Sequence, residues 1–441
     1  MAQCRDRSRP SERGPHAPFA CRLGSLLLVA TGGCGSNRTT PDAGSAVVDA
    51  AAIEGEDSMA GAPKPEARIG LGGGAPCDAS EQCLSGGCTL GVCSDWERVM
   101  KIAIDTTSVG ADVREDITGF PLLIRLDAKN FAFGEARPDG ADIRFLDASN
   151  NNLVHEIERW DADKALADIW VLVPRITGGS RNNVILMYWG NQLATPISSG
   201  PSVFASFSCV FHMGEDPNGN ATRIDDASGH DNAATVQSLP GTDLHGEGII
   251  GSGLALDGSS MLITSHRLPA PQTMALSLWF KTNTSAGGGI AGFANYPSGD
   301  VVRHDRAITM DPSGRFSFAV LHGGAPVTLT SLSSYNDGNW HFVVARFSSS
   351  GQYLFVDGEA VADDPTLTSA DAYSGYWRFG EQPTVSPLAS GGDAAVSAAD
   401  YISGTIDEAR VSTDELGDAW IKLSYATQRP GSTAVVYPPL H

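Results

Sequence analysis

Between Trp96 and Asn191 apolar residues recur at every second position. Met100, Ile102 and Ile104 alternate with Lys101 and Ala103, and Leu122, Ile124 and Leu126 alternate with Leu123 and Arg125. Ile169, Val171 and Val173 follow, then Val184, Leu186 and Tyr188. A period of two places successive side chains on opposite faces of a strand, the pattern of half-buried antiparallel sheet. Pro138-Asp139-Gly140 and Thr177-Gly178-Gly179 supply turns, and no amphipathic helical stretch interrupts the run. The segment 96–200 is therefore expected to be a β-sandwich of roughly 100 residues.

A second, longer β pattern runs from Val203 to Tyr437. Met274, Leu276, Leu278 and Phe280 alternate with Ala275, Ser277 and Trp279. Ile308 and Met310 lead through Asp311-Pro312-Ser313-Gly314 into Phe316, Phe318 and Val320, a hairpin with its turn residues in place. Trp340 to Phe347 and Gln352 to Val356 form a second hairpin, and Asp357-Gly358 predicts a two-residue type I′ turn after it. One helix is predicted over 418–427, stopped by Arg429-Pro430-Gly431, with Trp420, Leu423 and Thr427 along one stripe. This is the pattern of a two-sheet jelly roll over 203–438. The fold class is all-β in both parts.

The first ninety residues read differently. Arg5, Arg7, Arg9, Arg13 and Arg22 precede a short apolar run, Leu23 to Ala30, and small residues then lead to Cys34. That order is an export signal over 1–33, not a fold element. It resembles a bacterial lipoprotein signal, which implies lipidation of Cys34; Thr31 departs from that pattern, and an ordinary secretory signal is the alternative. Residues 34–76 lack aromatics and any apolar period, so they are expected to form a disordered tether. Cys77, Cys83, Cys88 and Cys93 cluster tightly. In an exported chain this predicts two disulfides, with Cys77–Cys88 and Cys83–Cys93 preferred among three connectivities, over a four-cysteine zinc site. Cys209, inside the apolar run from Val203 to Phe211, is expected to be a buried free thiol.

The formal charge of −21 on 441 residues argues against nucleic acid as a partner and leaves divalent cations as a possible one. The implied setting is the outer membrane or cell surface of a Gram-negative bacterium, or the medium, with the membrane reached only through the lipid.

Two resemblances sharpen the picture. Trp96-Glu97-Arg98-Val99, Phe120 to Asp127, Arg137 to Phe145, Glu156-Ile157-Glu158-Arg159-Trp160, Ile169 to Pro174 and Tyr188-Trp189-Gly190-Asn191 resemble a bacterial domain of unknown function found on exported proteins. No activity attaches to that family. Phe211-His212-Met213-Gly214-Glu215, Asp226 to Asn232, Leu276 to Lys281, Asn339 to Val343, Leu354 to Gly358 and Gly404 to Val411 resemble laminin G-like (concanavalin A-like) domains. Trp420 through Tyr437 is similar to the helix and closing strand that follow when the two families occur together. The resemblance implies a fold that hosts lectins, adhesion modules and glycanases, so function must come from the site.

A glycanase needs two carboxyl groups across the scissile bond. The nearest run is Thr405 to Arg410, in which Thr405 replaces the first acid and Asp407 and Glu408 are adjacent, hence expected on opposite faces. No serine-nucleophile elbow or His-Glu-x-x-His helix occurs, and His212, His230, His245, His266, His304, His322 and His341 are expected at turns and strand edges. No catalytic residue is assigned. The second resemblance implies one structural calcium, with Glu215, Asp216, Asp225, Asp226 and Asp407 as its ligands; an Asx-type turn and strand capping are the competing account of these acids. Tyr373, Tyr376 and Trp377 are the candidates for stacking on a sugar, with Trp377 also fitting a core strand position. The expected function is non-catalytic recognition of extracellular glycan or another polymer. A structural or adhesive protein that binds surface proteins and a glycoside hydrolase with an atypical site are the alternatives.

Overall fold

The computed structural model describes residues 87–89, 92–215, 217, 222–239, 242–298, 301–383 and 400–440. The expected export signal over 1–33, Cys34, the expected tether over 34–76, Cys77, Cys83 and Asp216 lie outside the described residues. The described residues open with a hairpin of β1 (Gly87–Thr89) and β2 (Val92–Ser94), in whose register Cys88 stands opposite Cys93. Among the described residues no helix is long and apolar enough to cross a membrane.

The first sandwich contains β3 (Arg98–Ile104), β4 (Ile117–Asp127), β5 (Arg144–Asp147), β6 (Asn152–Leu153), β7 (His155–Asp161), β8 (Leu166–Ile176) and β9 (Asn183–Trp189). β4, β8 and β7 form one three-stranded sheet, and β3, β9, β5 and β6 lie in the other. The period-two pattern places Met100, Ile102 and Ile104 inside, as expected. In β9 the face is the opposite of the one expected. Ile185, Met187 and Trp189 are buried, while Val184, Leu186 and Tyr188 stand half-buried on the other side. Both alternating sets are apolar, so the period alone did not choose the face. Gly140 turns the chain at φ +67°, and an added Cβ there would meet the Trp160 ring at 2.6 Å. Trp160 in turn packs on Phe131 and Phe133.

A short helix α1 (Gly200–Val203) leads to β10 (Phe207–Phe211), β11 (Arg223–Ile224), β12 (Ala234–Gln237), β13 (His245–Glu247), β14 (Ser252–Asp257), β15 (Met261–Thr264) and β16 (Leu268–Pro269). Then come β17 (Met274–Lys281), β18 (Gly288–Ala294), β19 (His304–Met310), β20 (Phe316–His322), β21 (Ala325–Thr330), β22 (Trp340–Ser348), β23 (Gly351–Val356) and β24 (Glu359–Asp364). β25 (Ser374–Phe379), β26 (Glu381–Gln382), β27 (Asp400–Tyr401) and β28 (Ser403–Ser412) complete the jelly roll, before α2 (Asp418–Gln428) and β29 (Val435–Val436). One sheet runs β13-β14-β28-β17-β22-β23-β24 with β10 on β28; the facing sheet runs β11-β12-β15-β25-β18-β19-β20-β21. Both predicted hairpins form, with Ile308 opposite Phe318 and Val343 opposite Val356. Asp357 and Gly358 both adopt positive φ, as a type I′ turn requires.

β17 is buried on both faces. Leu276, Leu278 and Phe280 point into the jelly-roll core, whereas Ala275 and Trp279 join a second core. That second core contains the first sandwich, α2 and the outer side of β22 and β23, through Phe342, Val344 and Phe355. Trp279 donates its indole N–H to Gln428 of α2 at 2.8 Å and packs on Phe342 and Tyr425. The two sandwiches thus share apolar surface. β29 leaves the jelly roll and pairs with β3, Val435 opposite Ile104, so the last strand completes the first domain's sheet. Cys209 is fully buried and free, and its buried position raises the thiol pKa well above the ordinary value.

Candidate functional site

At the seam between the two sandwiches sits a buried polar cluster. Glu156 and Glu158 come from β7, Trp170 from β8, His212 from the residue after β10, and Glu408 and Arg410 from β28. The backbone is shaped to bring them together. Between the pairs Ser277–Arg410 and Trp279–Asp407, β28 carries one residue more than β17, which is a β-bulge. Glu408 takes φ +51° there, and Met213, next to His212, takes φ +56°. Non-glycine residues in that region cost about 1–3 kcal/mol unless the surroundings hold them. The Asp407 carboxylate holds this one by accepting the Glu408 amide at 2.8 Å.

The bonds within the cluster close on themselves. His212 Nδ1 donates to Glu408 Oε1 at 2.7 Å, and Nε2 donates to Glu156 Oε2 at 3.2 Å. Glu158 Oε2 lies 3.5 Å from His212 Nδ1 and accepts the Trp170 indole N–H at 2.7 Å. Arg410 binds the second oxygen of Glu408 and lies over the Trp170 ring, 4.1 Å from its centroid, and near the Phe204 ring. Burial disfavours charge on His212, but Glu408 and Glu158 outweigh it and raise its pKa well above the ordinary value. Burial likewise opposes ionisation of Glu408, yet His212 and Arg410 lower its pKa to about 2. Glu158, desolvated and facing the Glu408 charge, is pushed up to about 8 and is neutral at pH 7. Desolvation and the same charge drive Asp407 up as well.

Glu158, His212 and Glu408 form the one group among the described residues with the ligand atoms to hold a metal. The chemistry of the group is nevertheless that of an ion-pair network. His212 already has both nitrogens committed as donors, and the Arg410 cation occupies the place beside Glu408 where a second cation would be repelled.

The calcium ligands expected from the sequence are not gathered into a cage. Both oxygens of Asp407 accept backbone N–H groups, from Ile249 and Ile250 on one and from Glu408 on the other. Asp226 likewise accepts the amides of Val210, Ser228 and Asn232. Glu215 accepts the Asp225 amide, and Asp225 pairs with Arg223. Calcium requires six to eight converging oxygen ligands, whereas these carboxylates converge on N–H donors. The four described acids therefore do not fit the ion, and the Asx-turn account of Asp226 is the one the geometry follows.

Two of the three expected sugar-stacking aromatics, Trp377 and Tyr373, pack against the jelly-roll core, and Tyr376 lies on the other face of β25 from Trp377. Trp377 is buried in the jelly-roll core against Phe293, so the core alternative applies. The Tyr373 hydroxyl bonds Asp305 and the Phe293 carbonyl, and the guanidinium groups of Arg303 and Arg306 cover its ring. Tyr376 is half-buried in β25, opposite Ala294. The sequence pattern places His212 at a strand end and the Glu158–Trp160 edge on the sandwich, and it marks no site role for Glu156, Glu158 or Arg410. The available signal was a set of charged residues inside otherwise apolar strands, in Phe211-His212, Glu156-Ile157-Glu158 and Glu408-Ala409-Arg410.

Fold and site together define a two-sandwich β protein whose halves are joined through a buried ionic seam. Residues 256–422 match the family model of the concanavalin A-like lectin/glucanases superfamily, and residues 139–212 match the domain of unknown function (DUF2341). The chain thus carries a DUF2341 segment followed by a concanavalin A-like domain. No curated protein matches it. Among solved structures, it is similar to the binding domain of botulinum neurotoxin DC in complex with SialylT, at 15% identity over 51% of this chain and 52% of that chain, TM-score 0.33. It is also similar to the botulinum neurotoxin type C whose cell entry depends on interaction with two ganglioside molecules (15% identity, 52% of each chain, TM-score 0.36). The binding domain of Paraclostridial Mosquitocidal Protein 1 is a third (9% identity, 50% of this chain and 51% of that chain, TM-score 0.34). The chain spans about half the length of these solved chains.

Proposed function

We propose that this chain is a non-catalytic binding protein of the bacterial cell exterior that recognises glycan or another extracellular polymer. The observation that carries the reading is the fate of Asp407 and Glu408, the acids closest to a glycanase pattern. Both are buried, and both are committed to interior partners: backbone amides for Asp407, His212 and Arg410 for Glu408. Carboxyl groups so engaged have no room for a sugar ring between them. The lectins named in the matched family support polymer recognition as what remains for this fold. The anchor belongs to the same proposal: export under the signal over 1–33 and lipidation at Cys34 would tether the binding domains to the outer membrane.

A glycan array probed with the processed chain tests binding, and incubation of the same chain with the bound sugars tests turnover. Retention on glycans without release of reducing ends is expected. Retention on envelope proteins with a blank array would favour the adhesive alternative, and sugar release abolished by Asp407→Asn would restore the enzyme. Mass spectrometry of the processed N-terminus tests the anchor; an unmodified amino group on Cys34 removes it.

A further inference from the structure

A cleft of about 400 Å³ opens along the same seam, on the face of β4 and β8 that also carries Trp170. Its walls carry Arg125 of β4, Arg159 of β7 and Arg429, the residue that ends α2. Asp168 and Asp127 are the acids on the wall. Asp168 is buried and is shared by two guanidinium groups, with Arg159 Nη2 at 2.6 Å and Arg125 Nε at 3.7 Å. Arg429 makes no ion pair among the described residues; its guanidinium sits 5.8 Å from the centroid of the Tyr425 ring. Three permanent positive charges therefore meet two carboxylates, in a chain whose formal charge is −21. The Tyr437 hydroxyl accepts the Arg125 amide at 2.9 Å, which leaves its own proton to donate.

We infer that this cleft binds the acidic group of an anionic polysaccharide, a carboxylate or a sulfate. A guanidinium presents a planar fork of donors that matches either group, and it stays charged at any physiological pH. The walls hold the forks in place. Arg125 Nη2 donates to the Ile249 carbonyl at 2.9 Å, and Arg159 is fixed by Asp168. A buried carboxylate that already serves two arginines cannot neutralise both, so an incoming anion completes the charge balance that the protein leaves open. The cleft draws on both sandwiches and on the segment after α2, so it exists only when the two domains are docked. The inference rests on the glycan-binding reading and adds to it a site and a charge class.

The test is titration calorimetry of the full processed chain with three probes: oligogalacturonate (carboxylate), a sulfated heparin oligosaccharide, and a neutral cello-oligosaccharide. Arg429→Gln is the informative variant, because Arg429 holds no ion pair and its loss leaves the fold's own charge pairs intact. Binding of one or both acidic probes, weakened about tenfold or more by Arg429→Gln at an unchanged unfolding midpoint, supports the inference, and the stronger of the two identifies the group. Equal affinity of wild type and variant for the acidic probes overturns it. Binding of the neutral probe alone overturns it while leaving the glycan-binding reading standing; binding of no probe and a blank glycan array overturn both.

Discussion

Two glutamates share His212 as a neighbour, and their surroundings push their pKa values in opposite directions, Glu408 down and Glu158 up, which makes them a matched pair for mutation. Glu408 faces two cations, His212 and Arg410, and is ionised. Glu158 faces an indole N–H and a neighbouring anion, and is protonated at pH 7. Glu408→Gln removes the one charge that both buried cations bind, and breaking a buried pair in this way costs about 3–5 kcal/mol. Glu158→Gln replaces a neutral acid by a neutral amide of the same shape, whose oxygen still accepts from Trp170, so the cost is at most about 1 kcal/mol. The gap between them at pH 7 is thus about 2 kcal/mol or more. Urea unfolding followed by tryptophan fluorescence, with linear extrapolation to water, measures both. Above pH 8 the wild-type Glu158 must ionise against the Glu408 charge, so Glu158→Gln becomes the more stable protein there. Equal losses for the two variants at pH 7 would refute the assignment, because they would mean that both acids carry charge.

The same cluster sets the pH dependence of the fold. Glu158 and His212 hold protons in the native state beyond the pH at which the unfolded chain releases them, so each contributes stability that is lost as pH rises, Glu158 between 4.5 and about 8 and His212 above 6.5. Glu408 acts in the other direction, its contribution being lost as pH falls from 4.5 toward about 2. Urea midpoints across this range are expected to peak on the mildly acidic side of neutrality, and a midpoint that climbs steadily from pH 5 to 8 counts against the scheme. Trp279→Ala is expected to cost about 3–5 kcal/mol, because it leaves a large void in the shared core and strips Gln428 of its partner. A loss under 1 kcal/mol in the same unfolding assay would show that α2 is not anchored there.

Much of the architecture was legible in the sequence. Strand periodicity marked both sandwiches, Asp357-Gly358 marked its turn, and Arg429-Pro430-Gly431 stopped α2 one residue beyond the predicted end. What failed was what local pattern cannot hold. In β9 both alternating sets are apolar, so the buried face was decided by neighbouring strands. Adjacency of Asp407 and Glu408 suggested opposite faces, but the bulge at Glu408 changed the geometry and turned both acids inward. The seam draws on strands more than 190 residues apart in sequence, as His212 and Glu408 show. A charged residue in an apolar strand announces that a partner exists without saying where, and the sequence offered no second term of the pair.

The pairing of β29 with β3 has a consequence for how the molecule is made. A ribosome delivers Ile104 more than three hundred residues before Val435, so the amino-terminal sheet waits with an unpaired edge while the entire jelly roll is synthesised. Domains that fold in order of synthesis seal each core as it emerges; this one cannot, and its opening sheet stays provisional until the final segment arrives. A nascent chain stalled short of that segment carries every residue of the matched domains and still lacks the closing strand of the first.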